Sequence, residues 1–220
     1  MKFLVIRPQP GADATGARIE ASDNEALVVP LFEVQPVAWK VPPPERYDAL
    51  MITSANAVRQ AREGLGQLTA LPVYAVGSAT ARALAKAGLN AAFTGNAGVE
   101  ALLEVIRDAG HSRLLWLAGE DHTGVGGHLS ISIETHIVYR SNALQPAEDF
   151  AAIVQSADGV LLHSARAARY FAGLCNMRGI DRARVTIGAL APAIADNAGT
   201  GWQKVVVSAT PDDVALLLLL

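Results

Sequence analysis

The chain has 220 residues, of which 51% are apolar and 18% charged, with a net charge of −3. That balance excludes a disordered chain and argues against a general nucleic-acid binder, which carries a basic stripe. Cys175 is the only cysteine, so an internal disulfide framework is excluded.

Residues 3–7 open the chain as a short apolar run stopped by Pro8, the profile of a buried parallel strand. The run is too short for a secretory h-region and Arg7 interrupts it, so a cytoplasmic protein is expected. A polar helix over 11–21 and a strand over 26–30 follow. Residues 31–39 partly alternate, and Pro36 limits them to an edge or a connection. From residue 47 an α/β rhythm restarts: strand 50–53, helix 55–64, strand 73–76, helix 79–87, strand 91–94, helix 99–109, strand 114–117. A Gly-rich turn over 119–127 comes next, then weak helical character over 128–133 and an extended run over 135–140. The last third reads helix 148–156, strand 159–163, helix 165–174, strand 185–187, helix 192–198, strand 204–208 and helix 211–220. Asp212 and Asp213 suit the first turn of that last helix, and the closing leucines read as its buried face. The apolar run 214–220 is far below the roughly 20 residues that span a bilayer.

Strands alternating with helices imply parallel sheets covered on both faces, an α/β fold with Rossmann-like lobes. An internal repeat gives the number of lobes. Residues 48–58 (DALMITSANAV) and 158–168 (DGVLLHSARAA) carry one signature, with Ser54 and Ser164 in matching positions. The second copy lacks an early strand–helix pair that the first 30 residues could supply. The expected assembly is therefore a discontinuous lobe of 1–31 plus 145–220 and a continuous lobe of 46–132. Linker strands over 32–45 and 133–144 would run side by side between them. Two lobes ending their strands in small polar turns would form a cleft for an anionic ligand.

Thr53, Ser54 and Asn56 sit where a strand hands over to a helix. Ser54 and Asn56 suit N-caps, and the free N–H groups at such an end also bind carboxylates or phosphates. Gly77, Ser78 and Thr80 form a second such turn. Gly188 is expected at the matching turn of the other lobe, offering backbone donors only. There is no complete G-x-G-x-x-G and no phosphate loop, so neither NAD nor ATP is expected. His111, His122, His128, His136 and His163 form no metal-ligand spacing, and His122 and His128 read as surface polar residues. No G-x-S-x-G elbow points to a hydrolase. Tyr139 in the second linker reads as a packing aromatic whose hydroxyl could also donate a proton.

The ordered segments resemble the uroporphyrinogen-III synthase family. They are Leu4-Val5-Ile6-Arg7-Pro8, residues 47–58, residues 73–81, Gly88-Leu89, residues 115–119, Ile137-Val138-Tyr139, residues 160–164, Ile187-Gly188 and Ala209-Thr210-Pro211. The resemblance implies two α/β lobes joined by a two-stranded linker. It also implies a reaction: a linear hydroxymethylbilane loses its hydroxyl, closes through a spiro intermediate and inverts its last pyrrole ring. The product is uroporphyrinogen III, and no cofactor or metal is used. The implied partners are the tetrapyrrole substrate and, transiently, hydroxymethylbilane synthase, with the chain a monomer. Tyr139 matches the family's linker tyrosine, which assists loss of the hydroxyl; Ser54, Thr80 and Ser164 match cleft hydroxyls. Arg7 and Arg166 are candidate anion contacts by position. The chain departs from the family pattern at Ala189-Leu190-Ala191, where many members carry hydroxyls. A non-catalytic two-lobed binder of a small anion is the alternative; a nucleotide-sugar transferase lacks its phosphate loop.

Overall fold

The computed structural model describes all residues except 62, 96–97, 123 and 126–130. His128 and part of the Gly-rich turn therefore lie outside the described residues. The chain divides into two compact units, one of Met1–Glu33 with Asn142–Leu220 and one of Val34–Ser141.

The first stretch contributes β1 (Lys2–Val5), α1 (Gly11–Glu20), β2 (Glu25–Val28) and β3 (Phe32–Pro36). The middle contributes β4 (Ala49–Ile52), α2 (Ala55–Ala61), α3 (Glu63–Gly66), β5 (Val73–Val76), α4 (Ser78–Lys86), β6 (Ala91–Gly95), α5 (Val99–Asp108), β7 (Arg113–Gly119) and β8 (Ser132–Ala143). The last stretch contributes α6 (Phe150–Ser156), β9 (Gly159–Leu162), α7 (Ala165–Met177), β10 (Thr186–Ala189), α8 (Pro192–Ala198), β11 (Lys204–Val207) and α9 (Asp213–Leu217).

The first unit's sheet runs β11-β10-β9-β1-β2, with every pair parallel. The second unit's sheet runs β6-β5-β4-β7-β8-β3, parallel from β6 to β8. The five parallel strands stand in the same order if β9, β10, β11, β1 and β2 correspond to β4, β5, β6, β7 and β8. The first unit is thus the second with its chain order rotated, and residues 1–28 complete the second copy of the repeat. The aspartate of each repeat does the same work. Asp158 exchanges bonds with Lys2 at the start of β1: its N–H donates to the Lys2 carbonyl (2.8 Å) and its Oδ2 accepts from the Lys2 N–H (2.7 Å). Asp48 does so with Arg113 at the start of β7: its N–H donates to the Arg113 carbonyl (2.7 Å) and its Oδ2 accepts from the Arg113 N–H (3.0 Å). The Arg113 guanidinium also holds the Asp48 carboxyl well below the usual carboxylate range.

Each sheet is apolar on both faces because successive strand residues point oppositely. Leu4, Ile6, Val160 and Leu162 enter one cluster, and Phe3, Val5 and Leu161 the other. In the second unit Leu50, Ile52, Leu115 and Leu117 pack on one face, and Ala49, Met51, Leu114 and Trp116 on the other. Strands with no polar alternation are what such doubly covered sheets require.

Three sequence expectations change. Residues 132–133, read as weakly helical, belong to β8, because that strand pairs with β7 from Arg113 to Gly119. Gly188 lies inside β10, in register with Leu161 and Val206, and not at a helix-opening turn. Its missing side chain makes room for the last helix: a Cβ there would lie 2.9 Å from Leu220 Cδ1 and 3.3 Å from Leu216 Cδ1. Of the closing residues, Leu216 is buried, while Val214, Leu218 and Leu219 are exposed. Among the described residues no helix is long and apolar enough to cross a membrane.

Candidate functional site

In an open parallel sheet, ligands bind outside the carboxyl ends of the strands where the strand order reverses. In the second unit that point lies between β4 and β7; in the first it lies between β9 and β1. Both repeat serines follow the switch strand of their own sheet.

In the second unit, β4 ends into Thr53 and Ser54. The Ser54 hydroxyl accepts a hydrogen bond from the Asn56 N–H (3.1 Å) and caps α2. Asn56 lies inside that helix, its Oδ1 accepting from Arg59 Nη1 (2.9 Å). Thr53 Oγ1 accepts the indole N–H of Trp116 from β7 (3.3 Å). The Trp116 ring meets His122 edge-on, with centroids 4.9 Å apart at 87°. His122 Nδ1 lies 3.0 Å from the Gly119 carbonyl oxygen. Gly119 in turn leaves space for Tyr139 of β8: a Cβ on it would lie 2.4 Å from Tyr139 Cζ and 2.7 Å from the phenol oxygen. Thr53, Trp116, His122, Gly119 and Tyr139 thus form one contiguous set at the carboxyl edge. Gly77, with φ of 81°, precedes α4, a conformation that glycine adopts without strain. Ser78 opens that helix and is exposed, whereas Thr80 is buried in its first turn.

In the first unit, Ser164 caps α7 by accepting from the Ala167 N–H (3.2 Å). Ser164→Ala is expected to cost about 1 kcal/mol of stability, read by denaturant unfolding. Arg7 follows β1 and donates from Nη1 to Thr15 Oγ1 (3.3 Å). Thr15 donates to Asp213 Oδ2 (2.8 Å), which also accepts from Arg18 Nη1 (2.9 Å) and lies 3.9 Å from Arg7 Nη1. His163 Nε2 bonds the other carboxylate oxygen at 2.9 Å. Asp213 is 6% exposed. Burial acts to raise its pKa, but His163, Thr15 and the nearby arginines outweigh it and keep the carboxyl ionised. Burial lowers the pKa of His163 and keeps it neutral, with Arg7 acting in the same direction and Asp213 opposing. Arg166 lies over the Phe32 ring, 5.0 Å from its centroid.

Trp116 looks in the sequence like one more apolar strand residue; His122 is exposed as expected, and the structure adds its contacts with Trp116 and Gly119. Asp213, read as a helix-start acid, is a buried hub; its neighbour Asp212 is the cap, accepting from the Val214 and Ala215 N–H groups. Cys175 is buried and its thiol pushed up to about 11 by that burial, so it is inert. Among the described residues no group of three His, Cys, Asp or Glu side chains could hold a metal ion.

Two sheets built mainly of parallel strands, each with polar turns at the carboxyl edge of its switch point, place the chain in the doubly wound α/β class. The family model described as "Uroporphyrinogen-III synthase HemD" matches residues 13–217. The chain belongs to the uroporphyrinogen-III synthase family, a family of enzymes. Its structure is similar to that of uroporphyrinogen-III synthetase from Helicobacter pylori 26695, with a TM-score of 0.64 and 17% identity over 100% of this chain and 98% of that one. It is also similar to a mutant uroporphyrinogen III synthase from the extremely thermophilic bacterium Thermus thermophilus, with a TM-score of 0.54 and 18% identity over 99% of this chain and 96% of that one. At these identities the likeness speaks for the fold. Among curated proteins none matches it by sequence.

Proposed function

We propose that the chain cyclises hydroxymethylbilane to uroporphyrinogen III in haem and tetrapyrrole biosynthesis. The family match over residues 13–217 carries this reading. In the reaction the hydroxymethyl C–O bond breaks and water leaves. The exposed carbon is attacked by the substituted end of the last pyrrole, and the spiro intermediate reopens so that this ring is inverted. One proton is lost as the ring regains aromaticity.

The substrate carries eight carboxylates, and a chain of net charge −3 cannot hold it by a general positive field. Placed donors must do so. Arg7, Thr53, Ser54, Asn56, Gly77, Ser78, Thr80 and Ser164 are the proposed contacts; the first turns of α4 and α7 offer N–H groups suited to carboxylates. Gly188 is not among them, because the sheet ladder and Leu220 take it up. Tyr139 assists loss of the hydroxyl through its phenol, and its contact with Gly119 supports this role. The same reading takes the chain as a cytoplasmic monomer receiving its substrate in transient contact with hydroxymethylbilane synthase. The short life of the linear substrate favours such a hand-over.

The substrate's hydroxyl leaves readily, so the enzyme's main task is to decide which carbon attacks, a positioning effect. Tyr139→Phe is therefore expected to slow type III formation by roughly 10- to 100-fold without abolishing it, within the range of a lost hydrogen bond to a charged group. The measurement is single-turnover formation of the type III isomer; complete loss in a folded variant would contradict this account.

A further inference from the structure

We propose that His122 is a second catalytic residue, the general acid whose proton the departing hydroxyl takes up while the Tyr139 phenol holds that oxygen by a hydrogen bond. The inference rests on the cyclisation reading above. His122 lies in the turn after β7, at the reversal point of the second unit's sheet, and is exposed to an incoming ligand. Its tautomer is fixed by geometry. The Gly119 carbonyl can only accept, so Nδ1 carries the hydrogen of the 3.0 Å bond, and Nε2 is the position that gains and loses a proton. The ring is braced by Trp116, which is itself tied to Thr53. Gly119 links the imidazole to the phenol: its carbonyl holds His122, and its bare α-carbon receives Tyr139, whose oxygen would sit 2.7 Å from a Cβ there. Two proton-bearing groups thus share one glycine.

Among the described residues, Glu120 and Asp121 are the charged side chains of the same turn, and Tyr139 packs on Gly119 from β8. The Glu120 N–H bonds the Tyr139 carbonyl (2.9 Å), which holds the turn against that strand. Thr53 and Trp116, from β4 and β7, are uncharged.

In the step, the pyrrole nitrogen's electron pair forms the exocyclic double bond as the C–O bond breaks. The oxygen leaves as water with the Nε2 proton. After closure and inversion, the proton shed by the attacked ring returns to Nε2. One water is released, and no oxidant or further reactant is needed. The competent form is the imidazolium.

His122→Gln, which keeps roughly the size of the side chain but cannot act as a general acid, tests this in the protein as it stands. The expected result is a fall in kcat for the type III isomer of about 100-fold, within the range of a lost general acid. KM stays within about twofold, and the alkaline limb of the kcat profile flattens. In His122→Gly, added imidazole restores part of the rate. A His122→Gln protein with wild-type kcat and an unchanged alkaline limb overturns the proposal. So does a rise in KM alone, which would make His122 a carboxylate contact. If the wild type forms only the type I isomer, the cyclisation reading fails, not the role of His122 within it.

Discussion

Gly119→Ala lowers the rate of type III formation about 100-fold, the scale expected when a reacting group is displaced by roughly 1 Å. A Cβ at this position would lie 2.4 Å from Tyr139 Cζ, 2.7 Å from its oxygen and 2.8 Å from Cε2, so the ring cannot stay where it is. Tyr139 is only partly buried, and the register between β7 and β8 already shifts at Ala118/Gly119. The phenol can therefore swing outward at a cost of about 1–3 kcal/mol, the usual scale of overpacking. The fold survives while the donor is lost. The check is a pair of measurements on one preparation, denaturant unfolding and single-turnover isomer formation. In the Tyr139→Phe background the same glycine substitution should cost less than the sum of the two effects, since both act on one phenol. Full activity in Gly119→Ala would remove Tyr139 from the chemistry.

Asp213→Ala has the largest expected effect on stability, about 3–5 kcal/mol, as for removal of one partner from a buried ionic network. It leaves the Thr15 hydroxyl and the His163 Nε2–H without their acceptor and strips Arg18 of its counter-charge. Asp213→Asn keeps the shape and should cost less. The pH dependence follows from the lowered pKa of both His163 and Asp213. His163 has a lowered folded pKa, so the unfolded chain binds the extra proton first, and its contribution to stability is lost as pH falls below about 6.5. Asp213 also has a lowered folded pKa, so its contribution is complete above about pH 4 and is lost as pH falls further. Wild-type stability should therefore decline toward acid in two stages. Asp213→Asn should lack the lower stage, read by urea unfolding at a series of pH values. An identical acid profile in both proteins would show that the network does not govern it.

The strands were legible because buried parallel strands are short, uniformly apolar runs, as at Ala49–Ile52 and Gly159–Leu162. Ser54 could be read as a cap from its place between strand and helix, and it is one. Gly188 could not, because V-T-I-G fits either a strand end or a strand interior until its register with Leu161 is known. Asp213 and Thr15 lie 198 residues apart, and nothing local marks one carboxylate as the partner of Thr15, Arg18 and His163. Adjacent Asp212 has the same local signature and only caps the helix. Trp116 and His122 were hidden in another way. A tryptophan inside an apolar strand shows its packing in the sequence, while the direction of its single N–H depends on which strand lies alongside.

If this chain directs ring closure with inversion, the isomer composition of its product shows it. Hydroxymethylbilane, supplied fresh and allowed to react with the wild-type protein, should yield predominantly uroporphyrinogen III. The type I isomer that forms spontaneously should be suppressed as protein concentration rises. A product that remains type I, formed at the same rate as in buffer alone, would contradict the account.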